Sequence, residues 1–346
     1  MKHQTTRYGE IPFYKIGTFG NTADAFISKK LFLEYKTKYS FPKKGDILIS
    51  ASGTIGRAVI YDGKPAYFQD SNIVWIDNDE TLVKNDFLFY AYSNVKWNTE
   101  HTTILRLYND NFRNTLIPLP PLNEQSAIAN ILSGLDRYLC ALDALILKKE
   151  GVKKALSFEL LSQRKRLKGF NQAWQRVRLG DIANYLTSNL SVEQITQQGK
   201  IKVYDVNNFI GYTDTTFISD KPYISIVKDG SVGRVRILPP KTNILSTMGA
   251  LIANHRTTTE FLFYLLSNFD FKNFTSGSII PHIYFKDYKE KTIFLPPLNE
   301  QSAIANILSD LDNEITSLKN KKRQFENIKK ALNHDLMSAK IRVLKK

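Results

Sequence analysis

Two stretches of this 346-residue chain share one apolar rhythm. From Ile304, apolar residues recur at Leu308, Leu311, Ile315, Leu318, Phe325, Leu332 and Leu336, alternating steps of four and three whose gaps fall on Lys322 and Lys329. Ile128, Leu132, Leu135, Leu139, Leu142, Ile146, Leu156 and Leu160 repeat the pattern earlier, with Lys149 and Lys153 in the gaps. Apolar positions about 3.5 residues apart make a seam along one helix face, and two such seams bury each other as a coiled coil. Each stretch predicts a helix of ~40 residues, roughly 60 Å long at 1.5 Å per residue, which projects beyond a small domain. Packing of each seam on its own neighbouring globular part is the alternative.

The pattern changes upstream of each helix. Ile47-Leu48-Ile49-Ser50-Ala51 and Ala58-Val59-Ile60-Tyr61 flank Gly53-Thr54-Ile55-Gly56-Arg57, which predicts two strands joined by a glycine turn. Gly230-Ser231-Val232-Gly233-Arg234 is the matching turn in the second half, and Phe87-Leu88-Phe89-Tyr90 matches Phe261-Leu262-Phe263-Tyr264, read as short helices packed on those sheets. The order is globule, helix, globule, helix.

The halves are copies. Leu119–Ser133 and Leu295–Ser309 are identical, offset by 176 residues, and the correspondence continues through Asp136 with Asp312 and Lys153-Lys154-Ala155-Leu156 with Lys329-Lys330-Ala331-Leu332. Each diproline lies outside a helix, and Asn123 or Asn299 reads as an N-cap followed by an acid in the positive first turn. Gly9 to Phe19 aligns loosely with Gly199 to Phe209. A leader beginning at Trp174 has no counterpart before Tyr8, so the first globule reads as N-terminally trimmed. The segments are a first globule over 1–117, a helix over 118–170, a second globule over 171–294 and a second helix over 295–346. The fold class is α+β, with two mixed α/β globules and an internal pseudo-two-fold repeat.

Composition narrows the partner. Formal charge is +15 and the sequence pI is about 9.5. The excess is +3 over 1–117 and +4 in each later segment, so no single tail carries it. Spread positive charge favours a polyanion such as nucleic acid; a generic lysine-rich composition is the plainer reading. The single cysteine, Cys140, excludes an intrachain disulfide and reads as a core residue. No apolar run approaches the ~20 residues of a membrane span, and the protein reads as cytoplasmic.

Motifs for chemistry are missing. There is no phosphate-binding GxxxxGK[ST], no HExxH, no CxxC pair and no proline-rich amino-methyltransferase tetrad. His3, His101, His255, His282 and His334 are scattered, and Asp287 to Lys291 is a weak echo of a nuclease carboxylate-lysine set without a counterpart in the first copy. No catalytic or metal residue is assigned.

The doubled LPPLNEQSAIANIL helix start, the Trp-x-x-Val-x-Leu-Gly-Asp-Ile leader at Trp174 and the Gly-x-x-Gly-Arg turns resemble the specificity subunit of type I restriction-modification systems, over nearly the whole chain. The resemblance implies two target-recognition domains separated by two long antiparallel coiled-coil helices, in a non-catalytic subunit that reads an asymmetric, bipartite DNA site. It also implies two methyltransferase subunits and two restriction subunits as partners, with S-adenosylmethionine, ATP and magnesium held by those partners and no cofactor here.

Base contacts are expected near the glycine turns and before each diproline. The candidates are Ser52, Thr54, Arg57, Gln69, Asn72 and Arg106 in the first globule, and Lys228, Ser231, Arg234, Arg236 and His282 in the second. Arginine suits guanine, and glutamine or asparagine suits adenine. Arg57 and Arg234 also admit a structural or phosphate-binding role, since a shared residue cannot read different sequences. Asn123, Glu124, Gln125, Asn299, Glu300 and Gln301 are the candidates for partner docking at the helix repeats. A structural adaptor, a nuclease-methylase fusion, and a partly inactive recombined or truncated subunit are the other readings.

Overall fold

The computed structural model describes residues 4–69, 72–97 and 106–344. The first globular part runs β1 (Ile11–Tyr14), β2 (Ala25–Ile27), α1 (Lys29–Lys38), β3 (Ile47–Ser50), β4 (Ala58–Ile60), β5 (Tyr67–Phe68), β6 (Ile73–Trp75), α2 (Asn85–Tyr92) and α3 (Asn109–Arg113), and leads into α4 (Leu122–Leu161). The second runs β7 (Gln175–Arg178), β8 (Ala183–Thr187), β9 (Ile201–Tyr204), β10 (Phe209–Thr213), β11 (Tyr223–Val227), β12 (Val235–Leu238), β13 (Thr242–Ile244), β14 (Met248–Ala253), α5 (Thr259–Ser267), β15 (Thr275–Ser276), β16 (His282–Ile283), α6 (Phe285–Tyr288) and β17 (Thr292–Leu295). It leads into α7 (Leu298–Met337). The chain is α+β and the halves repeat, as the sequence predicts.

Corresponding sheets make the repeat concrete. β3 pairs antiparallel with β4 and β6, and β11 pairs antiparallel with β12 and β14. β1 pairs antiparallel with β2 and parallel with β5, as β9 pairs with β10 and β13. The second copy adds β8 beside β14 and β7 beside β17. Among the described residues the first copy has neither addition.

The compact units cut across the sequence segments. One consists of the chain up to Asp143 together with the chain from Asn320 onward; the other is Ala144–Lys319. Each therefore holds one globule, the start of its own long helix and the end of the other. In the first unit, Phe87, Tyr90 and Ala91 of α2 pack with Ile128 and Leu132 of α4 and with Leu336 and Met337 of α7. In the second, Phe261, Leu262, Tyr264 and Leu266 of α5 share a core with Ile304 and Leu308 of α7 and Leu160 of α4. Both readings of the seam are thus partly realised: the start of each helix covers its own globule and also pairs with the other helix.

Within each unit the paired stretches run antiparallel. Asp143 meets Lys322 at 2.7 Å and Asp136 meets Lys329 in the first; Lys149 meets Glu314 at 2.8 Å and Lys153 meets Asp312 at 2.5 Å in the second. The four lysines that interrupt the seam reach carboxylates of the opposite helix. Their stems cover apolar surface while the ammonium stays partly wet.

Two local expectations are corrected. The helices begin at Leu122 and Leu298, one residue before the asparagines, because the carbonyls of Pro121 and Pro297 accept from Gln125 and Gln301 N–H at 2.9 Å. Asn123 and Asn299 serve inside the first turn, each side chain accepting from the next residue's N–H at 2.9 Å. Cys140 is exposed: it follows Leu139 on the helix and falls outside the seam.

Leu132 and Leu308 are fully buried. Replacing either with alanine should destabilise its unit by about 2–5 kcal/mol through lost transfer energy and the cavity left behind. Leu147→Ala, at a position 71% exposed, should stay within about 0.5 kcal/mol in the same denaturant titration.

Candidate nucleic-acid interface

The two glycine turns are built alike. Gly56 N–H donates to the Ser50 carbonyl and Ser50 N–H to the Arg57 carbonyl, at 3.0 and 2.9 Å; Gly233 and Val227, Val227 and Arg234 do the same at 2.9 Å. Gly56 and Gly233 have φ of +80°, and a Cβ there would sit 2.3 Å from Trp97 or 2.6 Å from Phe271. Left-handed backbone beneath an aromatic ring leaves no room for another residue.

The segment before each diproline returns to the same place. Ser52 bridges antiparallel to Arg106, and Asp229 to His282. Leu107 N–H donates to the Ala51 carbonyl and Ile283 N–H to the Lys228 carbonyl, both at 2.9 Å. Segments more than 50 residues apart in the chain thus form one edge in each globule, with Arg106 and His282 at corresponding positions.

The candidate residues divide by what already holds them. Buried Ser52 donates to the Asn72 side-chain carbonyl at 2.7 Å, and the Gln69 side chain accepts from Ile16 N–H at 3.3 Å. Arg57 donates to the Phe19 carbonyl at 2.9 Å, fixing the loop after β1. In the second globule that task passes to Arg236, which donates to the Asn207 carbonyl at 2.7 Å and lies 5.0 Å from the centre of the Tyr204 ring. Arg234, the sequence counterpart of Arg57, is exposed, and its guanidinium has no hydrogen bond or ion pair among the described residues. It lines a cleft of about 300 Å³ with Arg236, Asn207 and Phe263. Thr54 and Ser231 are exposed on the turns, and Lys228 is half-buried beside one. His282 Nδ1 lies 3.2 Å from the Ile280 carbonyl. His3 and His101 lie outside the described residues.

The helix-start motif faces inward except at its asparagines. Glu124 is 3% exposed and receives the Arg342 guanidinium at 2.6 Å and Val343 N–H at 3.3 Å. Glu300, fully buried, receives Arg166 at 2.6 Å and the Trp174 indole N–H at 3.0 Å. Gln125 accepts from Lys84 N–H and donates to the Leu82 and Pro120 carbonyls; Gln301 accepts from Thr257 and Thr258 and donates to the Arg256 and Pro296 carbonyls. Asn123 and Asn299 stay exposed.

A second set joins globule to helices. Tyr90 OH donates to Asp136 at 2.7 Å and Tyr264 OH to Asp312 at 2.9 Å, and each aspartate also holds the lysine of the opposite helix, Lys329 or Lys153. Burial first, and the aspartate second, push both phenols far up, so each stays a neutral donor. These tyrosines, and the arginines at 166 and 342, were not singled out from sequence; the 176-residue offset between the arginines was the available signal.

Residues 1–149 and 171–327 match the family model for the type I restriction modification DNA specificity domain. The chain belongs to that family. It is similar to the Haemophilus influenzae type I restriction enzyme specificity subunit S.HindORF215P, 65% identical over 133 residues, a match that spans 38% of this chain and about a third, 34%, of that one. It is 25% identical to the type I restriction enzyme MjaVIII specificity subunit of Methanocaldococcus jannaschii, over 92% of this chain and 84% of the other. The fold is shared with the crystal structure of the type I restriction-modification S subunit from M. genitalium: TM-score 0.64, 21% identity, 97% of this chain and 91% of that one. Among the described residues of this specificity chain, no helix is long and apolar enough to cross a membrane and no cluster suits a metal ion.

Arg342 holds the Glu124 carboxyl below the usual range, chiefly by direct hydrogen bonding. A carboxylate whose folded pKa is depressed contributes stability that is complete above its unfolded pKa, about 4.3, and lost as pH falls through the folded value. Hydrogen exchange at the Val343 amide should therefore show protection at pH 7 that is lost in acid, once the depressed carboxyl is protonated. Glu124→Gln should lose most of that protection at pH 7.

Proposed function

We propose that this specificity subunit reads a split, asymmetric DNA site, one half per globule, and brings adenine methyltransferase and restriction subunits to it. The observation that carries this reading is the repeated edge, where a glycine turn and a remote segment meet on one frame but present different side chains: Arg106 and Thr54 in one unit, His282 and Ser231 in the other. Like frames position like; unlike side chains read different base edges. Spread positive charge, including exposed Lys29, Lys30, Lys36 and Lys38 on α1, suits phosphate contacts that set register. Helices α4 and α7, each 40 residues and common to both units, are the elements proposed to fix the gap between half-sites. S-adenosylmethionine, ATP and magnesium belong, on this reading, to the partner subunits.

Methylome sequencing of a host carrying this chain with its methyltransferase, against one lacking the chain, should reveal one new two-part adenine-methylated motif. The purified complex should lose affinity linearly in log salt, with a slope of about −0.9 per phosphate contact. A complex that assembles yet yields no new motif and no salt slope would make the chain a protein adaptor.

A further inference from the structure

The β15–β16 ribbon of the second unit ends in Gly277-Ser278-Ile279-Ile280-Pro281, and its two isoleucines are 93% and 62% exposed. A lone exposed isoleucine is ordinary. Two neighbours at the tip of a ribbon tied to the glycine turn are not placed by chance packing. Gly230 N–H donates to the Pro281 carbonyl at 2.8 Å, Ile283 N–H to the Lys228 carbonyl at 2.9 Å, and Asp229 bridges to His282. Gly277 sits at φ +91°, where a Cβ would come within 2.3 Å of the Ile280 carbonyl, so only glycine fits this turn. Lys272 and Lys286 flank the tip and are matched by Asp270 and Asp287, while the adjacent turn carries Lys228, Arg234 and Arg236 against one acid, Asp229.

We propose that Ile279 and Ile280 read thymine C5-methyl groups in the major groove, so that the half-site of the second unit contains at least one T·A pair recognised through that methyl. This rests on the DNA-reading function proposed above and names the chemistry by which one globule reads. The major groove admits a two-stranded ribbon, and the thymine methyl is the apolar feature on its floor. Cations at the ribbon base face the phosphates while the uncharged tip goes in. The counterparts at the same offset, Thr103 and Ile104, lie outside the described residues; one is polar, which fits two globules reading different sequences.

The test uses the subunit complexed with its methyltransferase and duplexes in which each thymine of the second half-site is replaced, one at a time, by uracil, which lacks only the methyl. At one or two positions the wild-type complex should bind about four-fold more weakly per methyl removed. An Ile279→Ala, Ile280→Ala double variant should keep its thermal midpoint and its affinity for scrambled DNA. It should bind the thymine duplex more weakly and show no further loss with uracil. Target discrimination without sensitivity to uracil at any position, a half-site without thymine, or equal sensitivity in the variant would overturn the proposal alone. Failure of the wild type to discriminate its target from scrambled DNA would overturn the DNA-reading function as well.

Discussion

One carboxylate per unit ties three elements together. Asp136 accepts the Tyr90 hydroxyl from the globule and the Lys329 ammonium from the opposite helix; Asp312 does the same with Tyr264 and Lys153. Without it, the lysine in the apolar seam would lose its counter-ion and the buried tyrosine its acceptor, and leaving such groups unpaired costs more than the contacts contribute when made. The shared aspartate holds the globule at a fixed angle to both helices. The aspartate supplies that constraint where apolar packing alone would permit sliding.

The buried glutamates at the helix starts act in the same direction. Glu124 and Glu300 are taken out of water only because a guanidinium and a further N–H meet them, and such burial contributes more to uniqueness of arrangement than to net stability. The repeated Asn-Glu-Gln is therefore chiefly an internal lock: Gln anchors the loop before α2 or α5, Glu anchors the segment after the opposite helix. Thr54 and Ser231 are exposed on the glycine turns, where changing either disturbs no buried group.

Period and duplication were legible in the sequence. The seam positions from Ile128 to Leu160 and from Ile304 to Leu336 are buried or half-buried throughout, and the glycine-turn hairpins and short aromatic helices lie where alternation and composition put them. What was not legible needs three dimensions. The split of each helix between two units depends on which surfaces cover Phe87 and Phe261, and no local pattern encodes that. Likewise Arg57 and Arg234 look equivalent in sequence, yet the loop after β9 is pinned by Arg236, because the Tyr204 ring offers it a face; Arg234 is thereby released. The sites chosen from sequence lie near the right turns, but which of them are committed to the protein itself follows only from their partners.

The duplicated lock poses a problem of pairing that one unlike layer answers. Since Lys153 of α4 and Arg166 in the segment after it carry the same groups as Lys329 of α7 and Arg342 in the segment after that helix, the lock does not by itself distinguish which helix end docks on which unit. One layer where the copies differ sets unlike contacts: Tyr138 packs on Phe325 with ring centres 4.7 Å apart, whereas the corresponding pair in the other unit is the Glu314–Lys149 ion pair. Pairing two copies of α4 would set Tyr138 against Lys149 and forfeit the ion pair. Pairing two copies of α7 would set the Glu314 carboxylate against the Phe325 ring, whose face repels an anion. A repeat identical at its ends and different at this layer thus favours the pairing of unlike helices over that of like ones, as polar positions in coiled-coil seams do.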